Sequence, residues 1–123
     1  LINSKAKGSK GERELASKLR KYGFTDAKRS QQYCGLGESA ADIVDALPNI
    51  HIECKRVERL NISDAIAQAK RDAKNGNMPT VFHRRNNEKW LVTMSLSDWI
   101  ELYREYHSGL LLSNKTTQKA VEF

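Results

Sequence analysis

Apolar residues recur at helical spacing between Ser9 and Tyr22, where Leu15, Ala16, Leu19 and Tyr22 share a face. Gly8 and Ser9 precede this stretch and Gly23 follows it as a C-cap glycine would, which predicts a first helix. Phe24 to Ser30 reads as a short strand, and residues 31–38, with two glycines and no clean period, as a loop. The period then shortens to two. Asp42–Leu47 and Ile50–Val57 predict strands, and the turn chemistry of Pro48-Asn49 makes them a hairpin. In the second strand Ile50, Ile52 and Cys54 alternate with His51, Glu53 and Lys55. Helical spacing returns with Ile62, Ala65, Ile66, Ala69 and Ala73, capped by Asn61 or Ser63 and stopped at Gly76. Pro79–His83 and Trp90–Met94 predict two more strands, joined through Asn86-Asn87. Ser95 with Asp98 has the form of a capping box opening a last helix that carries Trp99, Leu102, Tyr103 and Tyr106.

The order α-β-β-β-α-β-β-α predicts an α/β fold, a mixed β-sheet flanked by helices. Phe82, Trp90, Trp99 and Tyr103 are expected in its core. Residues 1–7 are polar and expected to be a loose basic N-terminus, 8–107 a single domain, and 108–123 either a frayed tail or an arm docking on a partner.

A chain of 123 residues with 39% apolar content supports one domain with a modest core. No apolar run approaches the ~18 residues of a membrane helix, so no membrane partner is expected. Two cysteines, Cys34 and Cys54, are too few for a disulfide framework and lack metal-type spacing, which suggests a reducing, cytoplasmic setting. The net charge is +6, and its distribution is uneven. Residues 1–35 hold nine Lys/Arg, among them Lys10, Arg13 and Arg29, against three acids, while the rest of the chain is balanced. A basic segment on a neutral domain is a footprint for a polyanion such as nucleic acid, or else a solubilising helix face.

The candidate chemistry lies on the hairpin. Residues two apart on a strand share a face, so Glu53 and Lys55 project together and Cys54 points to the core. A hairpin sets Asp42 beside them, since paired strands lie about 5 Å apart. Two carboxylates so close repel unless a cation sits between them, and hard oxygen ligands suit Mg2+ or Mn2+. Such an ion activates water and stabilises charge on a phosphate, while a neighbouring ammonium helps neutralise the transition state. The competing view is a solvated strand face with a cross-strand ion pair. Glu12 is either a third carboxylate of this centre or an ordinary helix-start acid. Arg13 and Arg29 can meet phosphate, and Arg84-Arg85 can extend that track. Gln68 can point at the same face or be ordinary surface, and His51 can border the site or be a solvated strand-end residue.

Gly8-x-x-x-Glu12-Arg13-Glu14-Leu15-Ala16, followed by Leu19 and Tyr22-Gly23-Phe24, resembles the opening of archaeal-type Holliday-junction resolvases of the PD-(D/E)XK nuclease superfamily. Arg29-Ser30, Asp42-Ile43-Val44, Ile52-Glu53-Cys54-Lys55, a helix with Gln68 and a closing strand pair fit the same family in order, over roughly residues 8–104. The resemblance implies a restriction-endonuclease-like fold and a metal-dependent endonuclease acting on branched DNA. It implies Glu12, Asp42 and Glu53, with the Cys54 backbone carbonyl, as ligands of Mg2+, for which Mn2+ can substitute. Lys55 then assists the water, and Lys10, Arg13, Arg29, Ser30, Ser39 and Gln68 line the DNA. It also implies a homodimer and no small-molecule cofactor. Two departures stand out: Ala41, not proline, precedes Asp42, and the 31–39 loop is long. A sequence-specific or flap-type endonuclease of the same fold, or a non-catalytic DNA-binding module, are the alternatives.

Overall fold

The computed structural model describes residues 4–30 and 41–121, with side chains over 8–30 and 41–115. Its elements run in the predicted order: α1 (Ser4–Lys21), β1 (Lys28–Arg29), β2 (Ile43–Val44), β3 (Ile50–Arg56), α2 (Ile62–Asp72), β4 (Met78–Arg84), β5 (Leu91–Met94) and α3 (Leu96–Val121). The strands form one sheet in the order β1-β2-β3-β4-β5, parallel between β3 and β4 and antiparallel elsewhere.

β3 is the centre of this sheet, and its two faces are covered by different helices. On one face Ile52 and Cys54 join Ile43 of β2 and Phe82 of β4 beneath Leu15, Ala16 and Leu19 of α1. On the other, Val81 of β4, the neighbour of Glu53 in the parallel register, packs on Ala65 and Ala69 of α2. Small residues on α2 let it approach closely. α1 achieves the same through Gly11, where a Cβ would stand 2.5 Å from Cβ of Arg56. Pro79 lies within a strand paired on both sides, yet it costs little, because β5 ends opposite Thr80 and demands no N–H from it.

Several boundaries differ from expectation. α1 starts at Ser4, not Ser9, so part of the segment expected to be loose is helical. Its far end closes as a Schellman motif: Gly23, at φ 106, donates to the Arg20 carbonyl, and Phe24 to the Leu19 carbonyl. Phe24 is thus part of the helix cap, and the strand expected from it shrinks to Lys28–Arg29. β2 spans only Ile43–Val44, since Asp45 adopts a left-handed φ of 56. Asn61, not Ser63, caps α2, accepting from the Asp64 N–H at 3.1 Å. That helix ends at Asp72, and Gly76, with φ 73, lies in the turn beyond it.

α3 holds the largest difference. It continues through most of the 108–123 segment, and Trp99 and Tyr103, expected in the core, are exposed on it. Phe82 is buried and Trp90 partly so. The expected 31–38 loop lies outside the described residues. Among the described residues, no helix is long and apolar enough to cross a membrane.

Candidate active site

The site is built where β2 and β3 begin to part. Asp42, just ahead of β2, donates its N–H to the Ile52 carbonyl at 2.8 Å and accepts from Ser30 N–H at 3.0 Å. Its carboxylate Oδ2 then accepts the Cys54 N–H at 2.8 Å, as a ladder carbonyl would. The side chain of Asp42 is therefore pinned to the β3 backbone between Glu53 and Lys55. Extending the Ile43–Ile52 register by one residue sets Asp42 opposite Glu53.

Alternation along β3 turns His51, Glu53 and Lys55 to the face that carries Val81, under α2. Glu53 is 1% exposed. A carboxylate so buried needs a partner, and it has one in His51, whose Nε2 lies 2.8 Å from Glu53 Oε1. His51 is itself 3% exposed, so it is a buried partner of the acid and not a solvated strand-end residue. Lys55 Nζ donates to Gln68 Oε1 of α2 at 2.9 Å, which holds the ammonium on this face.

Electrostatics register the crowding. The Asp42 carboxyl is pushed up to about 7, first by burial and next by Glu53. The Cys54 N–H works against this, Glu12 adds to it, and Lys55 opposes it. Cys54 faces the α1 side, and burial raises its thiol far above the usual range, so no thiolate chemistry arises there.

The remaining candidates sit around this centre. Glu12 Oε2 accepts from Arg29 Nε at 2.8 Å, and Arg29 Nη2 donates to Ser9 Oγ at 3.0 Å. Arg29 thus ties α1 to β1 in this structure, and Glu12 is held near Asp42 by it. Lys10 and Arg13 are exposed on α1, with no ion-pair partner among the described residues. Ser30 is partly buried, and Ser39 lies outside the described residues. Arg84 pairs with Glu14 on the α1 side, and Arg85 with Glu88 at 3.4 Å, so neither joins the Lys55 face. Among the described residues, no three His, Cys, Asp or Glu side chains stand together at metal-binding distances. Asp42 and Glu53 each keep one carboxylate oxygen outside the bonds just described, while Glu12 is turned to Arg29.

A mixed five-stranded sheet between helices, with an acid at the head of β2 and Glu-x-Lys in β3, defines a restriction-endonuclease-like protein. The profile of a family described as phage putative PDDEXK endonuclease matches residues 3–121, and the chain belongs to that family. It is therefore a member of the PD-(D/E)XK superfamily, and its class of activity is that of a nuclease. No curated protein and no solved structure matches the sequence.

Proposed function

We propose that this nuclease is a magnesium-dependent endodeoxyribonuclease that nicks branched DNA, four-way junctions foremost, and that it works as a homodimer. The observation that carries the chemistry is the pinning of Asp42 to the Cys54 N–H, which sets its carboxyl beside Glu53 and the Gln68-held ammonium of Lys55. The resolvase preference rests on the likeness of the Glu12–Leu15, Asp42 and Glu53–Lys55 motifs to that subgroup.

The donor set fits a hard divalent cation. Asp42 and Glu53 each offer an oxygen, and like-charge repulsion at Asp42 is the strain a cation relieves. Asp42, Glu53 and the Cys54 carbonyl would hold Mg2+ or Mn2+, with Glu12 joining once released from Arg29. Bound there, the ion would supply an acidified water and charge neutralisation on the scissile phosphate.

The chain's own groups have separable tasks. Lys55 orients the attacking water and meets charge on a non-bridging oxygen, without a covalent enzyme intermediate. Gln68 keeps the Lys55 ammonium in place, and His51 fixes the Glu53 carboxylate. Lys10 and Arg13, exposed on α1, take phosphates flanking the cut, as does Arg29 where it is freed from Glu12. Ser30, which follows β1, is a further phosphate contact, and the likeness to the resolvases adds Ser39 to that set.

The test is nicking of four-way, flap and linear DNA with magnesium, with and without chelator. Junction cutting that chelation abolishes is the expected result. Equal cutting of linear duplex overturns the junction preference, and cutting that ignores chelator overturns the metal assignment.

A further inference from the structure

The Glu12–Arg29 ion pair withholds an acid from the centre it borders. Asp42 and Glu53 come together where β2 and β3 part, yet among the described residues no third His, Cys, Asp or Glu completes a metal-binding group with them. Glu12 is the acid near enough to do so, since its charge is among those that push the Asp42 carboxyl upward. Its Oε2 instead accepts from Arg29 Nε at 2.8 Å. Arg29 Nη2 also donates to Ser9 Oγ, one turn back along α1, at 3.0 Å.

This tie is close to the site and weak in kind. Arg29 pairs with Ile43 in the β1–β2 register, next to Asp42, and the following N–H, that of Ser30, donates to the Asp42 carbonyl. The side chains of Arg29 and Glu12 remain 32% and 21% exposed, so water and ions compete for both. A phosphate can take the same guanidinium through two parallel N–H···O bonds. Lys10 and Arg13, exposed on α1, draw phosphates to this helix.

Each half of the pair thus has a rival partner. When a phosphate takes Arg29, the Glu12 carboxylate is left near Asp42 as an unpaired negative charge, a repulsion that a cation removes. When a cation takes Glu12, Arg29 is left free for a phosphate. The two ligands favour the same open arrangement, and ligands that favour one arrangement raise each other's affinity.

We infer that the Glu12–Arg29–Ser9 contact is a latch that keeps Glu12 out of the centre until a DNA phosphate takes Arg29, so that DNA and divalent cation bind cooperatively. The inference rests on the nuclease reading proposed above and adds the regulation of its site.

The test measures binding, not cutting. Mn2+ alone is titrated into the parent, Arg29→Met, Glu12→Gln and the double variant, with free Mn2+ read by electron paramagnetic resonance and folding by circular dichroism. Arg29→Met is expected to bind Mn2+ about 10-fold more tightly than the parent, a coupling of ordinary size. That gain should largely vanish alongside Glu12→Gln. Ser9→Ala removes one acceptor and no charge, and should show a smaller gain in the same direction; it carries the test if Arg29→Met does not fold. Fluorescence anisotropy of labelled four-way DNA reads the other side, in a Lys55→Ala background that leaves the DNA uncut. There Mn2+ should tighten DNA binding, and adding Arg29→Met should reduce that tightening. Equal Mn2+ affinity in the parent, Arg29→Met and Ser9→Ala overturns the latch and leaves the metal centre standing. A gain from Arg29→Met that persists in full alongside Glu12→Gln makes Arg29 a distant charge and overturns the latch as well. No Mn2+ bound by any of these proteins overturns the metal assignment itself.

Discussion

β3 and α3 break the same rule in opposite directions. β3 carries His51, Glu53 and Lys55 on a face covered by α2, where apolar side chains are the norm. α3 carries Leu96, Trp99, Tyr103 and Tyr106 where solvent reaches them. The polar groups of β3 are satisfied inside the chain: His51 pairs with Glu53, Lys55 donates to Gln68, and the Cys54 N–H donates to Asp42. The rings of α3 stack on one another along the helix. Buried polarity with its bonds made is machinery already assembled, whereas exposed apolar area of this extent is a surface awaiting cover.

The sharpest way to break the comparison is at the β3 face. Asp42→Asn and Lys55→Ala are expected to lower metal-dependent cutting by about 100-fold or more, because each removes a charge that acts on the reacting phosphate. DNA binding should change little, since exposed basic residues on α1 supply phosphate contacts. Single-turnover nicking alongside gel shifts reads both quantities. A variant that cuts at the parental rate puts the centre elsewhere.

Much of this face was legible in the sequence, and the reason is periodicity. Alternation in Ile50–Lys55 separates Cys54 from Glu53 and Lys55, and the Pro48-Asn49 turn brings Asp42 back to them. What alternation does not carry is depth. His51 shares parity with Glu53, but only a covering α2 makes it a buried partner. The Arg29–Glu12 pair was equally hidden, because it joins two elements whose packing angle no local pattern specifies. On α3, spacing tells which rings share a face and not whether anything covers it, so Trp99 and Tyr103 were expected in a core they do not enter. The early start of α1 escaped notice because Lys5, Ala6 and Lys7 have helical propensity without an apolar stripe.

A smaller effect isolates the buried pair. His51→Leu leaves Glu53 without its partner and should cost about 1–3 kcal/mol of stability, the penalty of an unsatisfied buried group. Replacing both, as His51→Leu with Glu53→Leu, should recover much of that loss, since an apolar pair carries no such penalty. Urea denaturation of the four proteins forms a double-mutant cycle. Additive losses would mean the contact has no energetic content.

The Asp42 carboxyl makes a pH-dependent contribution of known sign. Its folded pKa of about 7 lies above the ordinary 3.8, so the folded protein binds the extra proton between those values. Stability of the metal-free protein therefore falls as pH rises through this window, by up to about 4 kcal/mol from this group, and levels off above it. Asp42→Asn should flatten that fall and raise the melting temperature at pH 8. Magnesium should narrow the gap between parent and variant at that pH, because a cation offsets the repulsion from Glu53 and Glu12. Melting curves in chelator from pH 4 to 8 read the slope, and an equal slope in both proteins would remove Asp42 as its source.

The smallest expected effect belongs to α3, and its smallness is the point. At concentrations where the chain is monomeric, Trp99→Ser should change stability by no more than about 0.5 kcal/mol, as for a surface substitution away from special features. Among the described residues, the ring that Trp99 stacks on is that of Tyr103, the next turn of its own helix. Urea denaturation of parent and variant reads the difference. A large cost would show that the stripe supports its own domain, and the contrast between β3 and α3 would close.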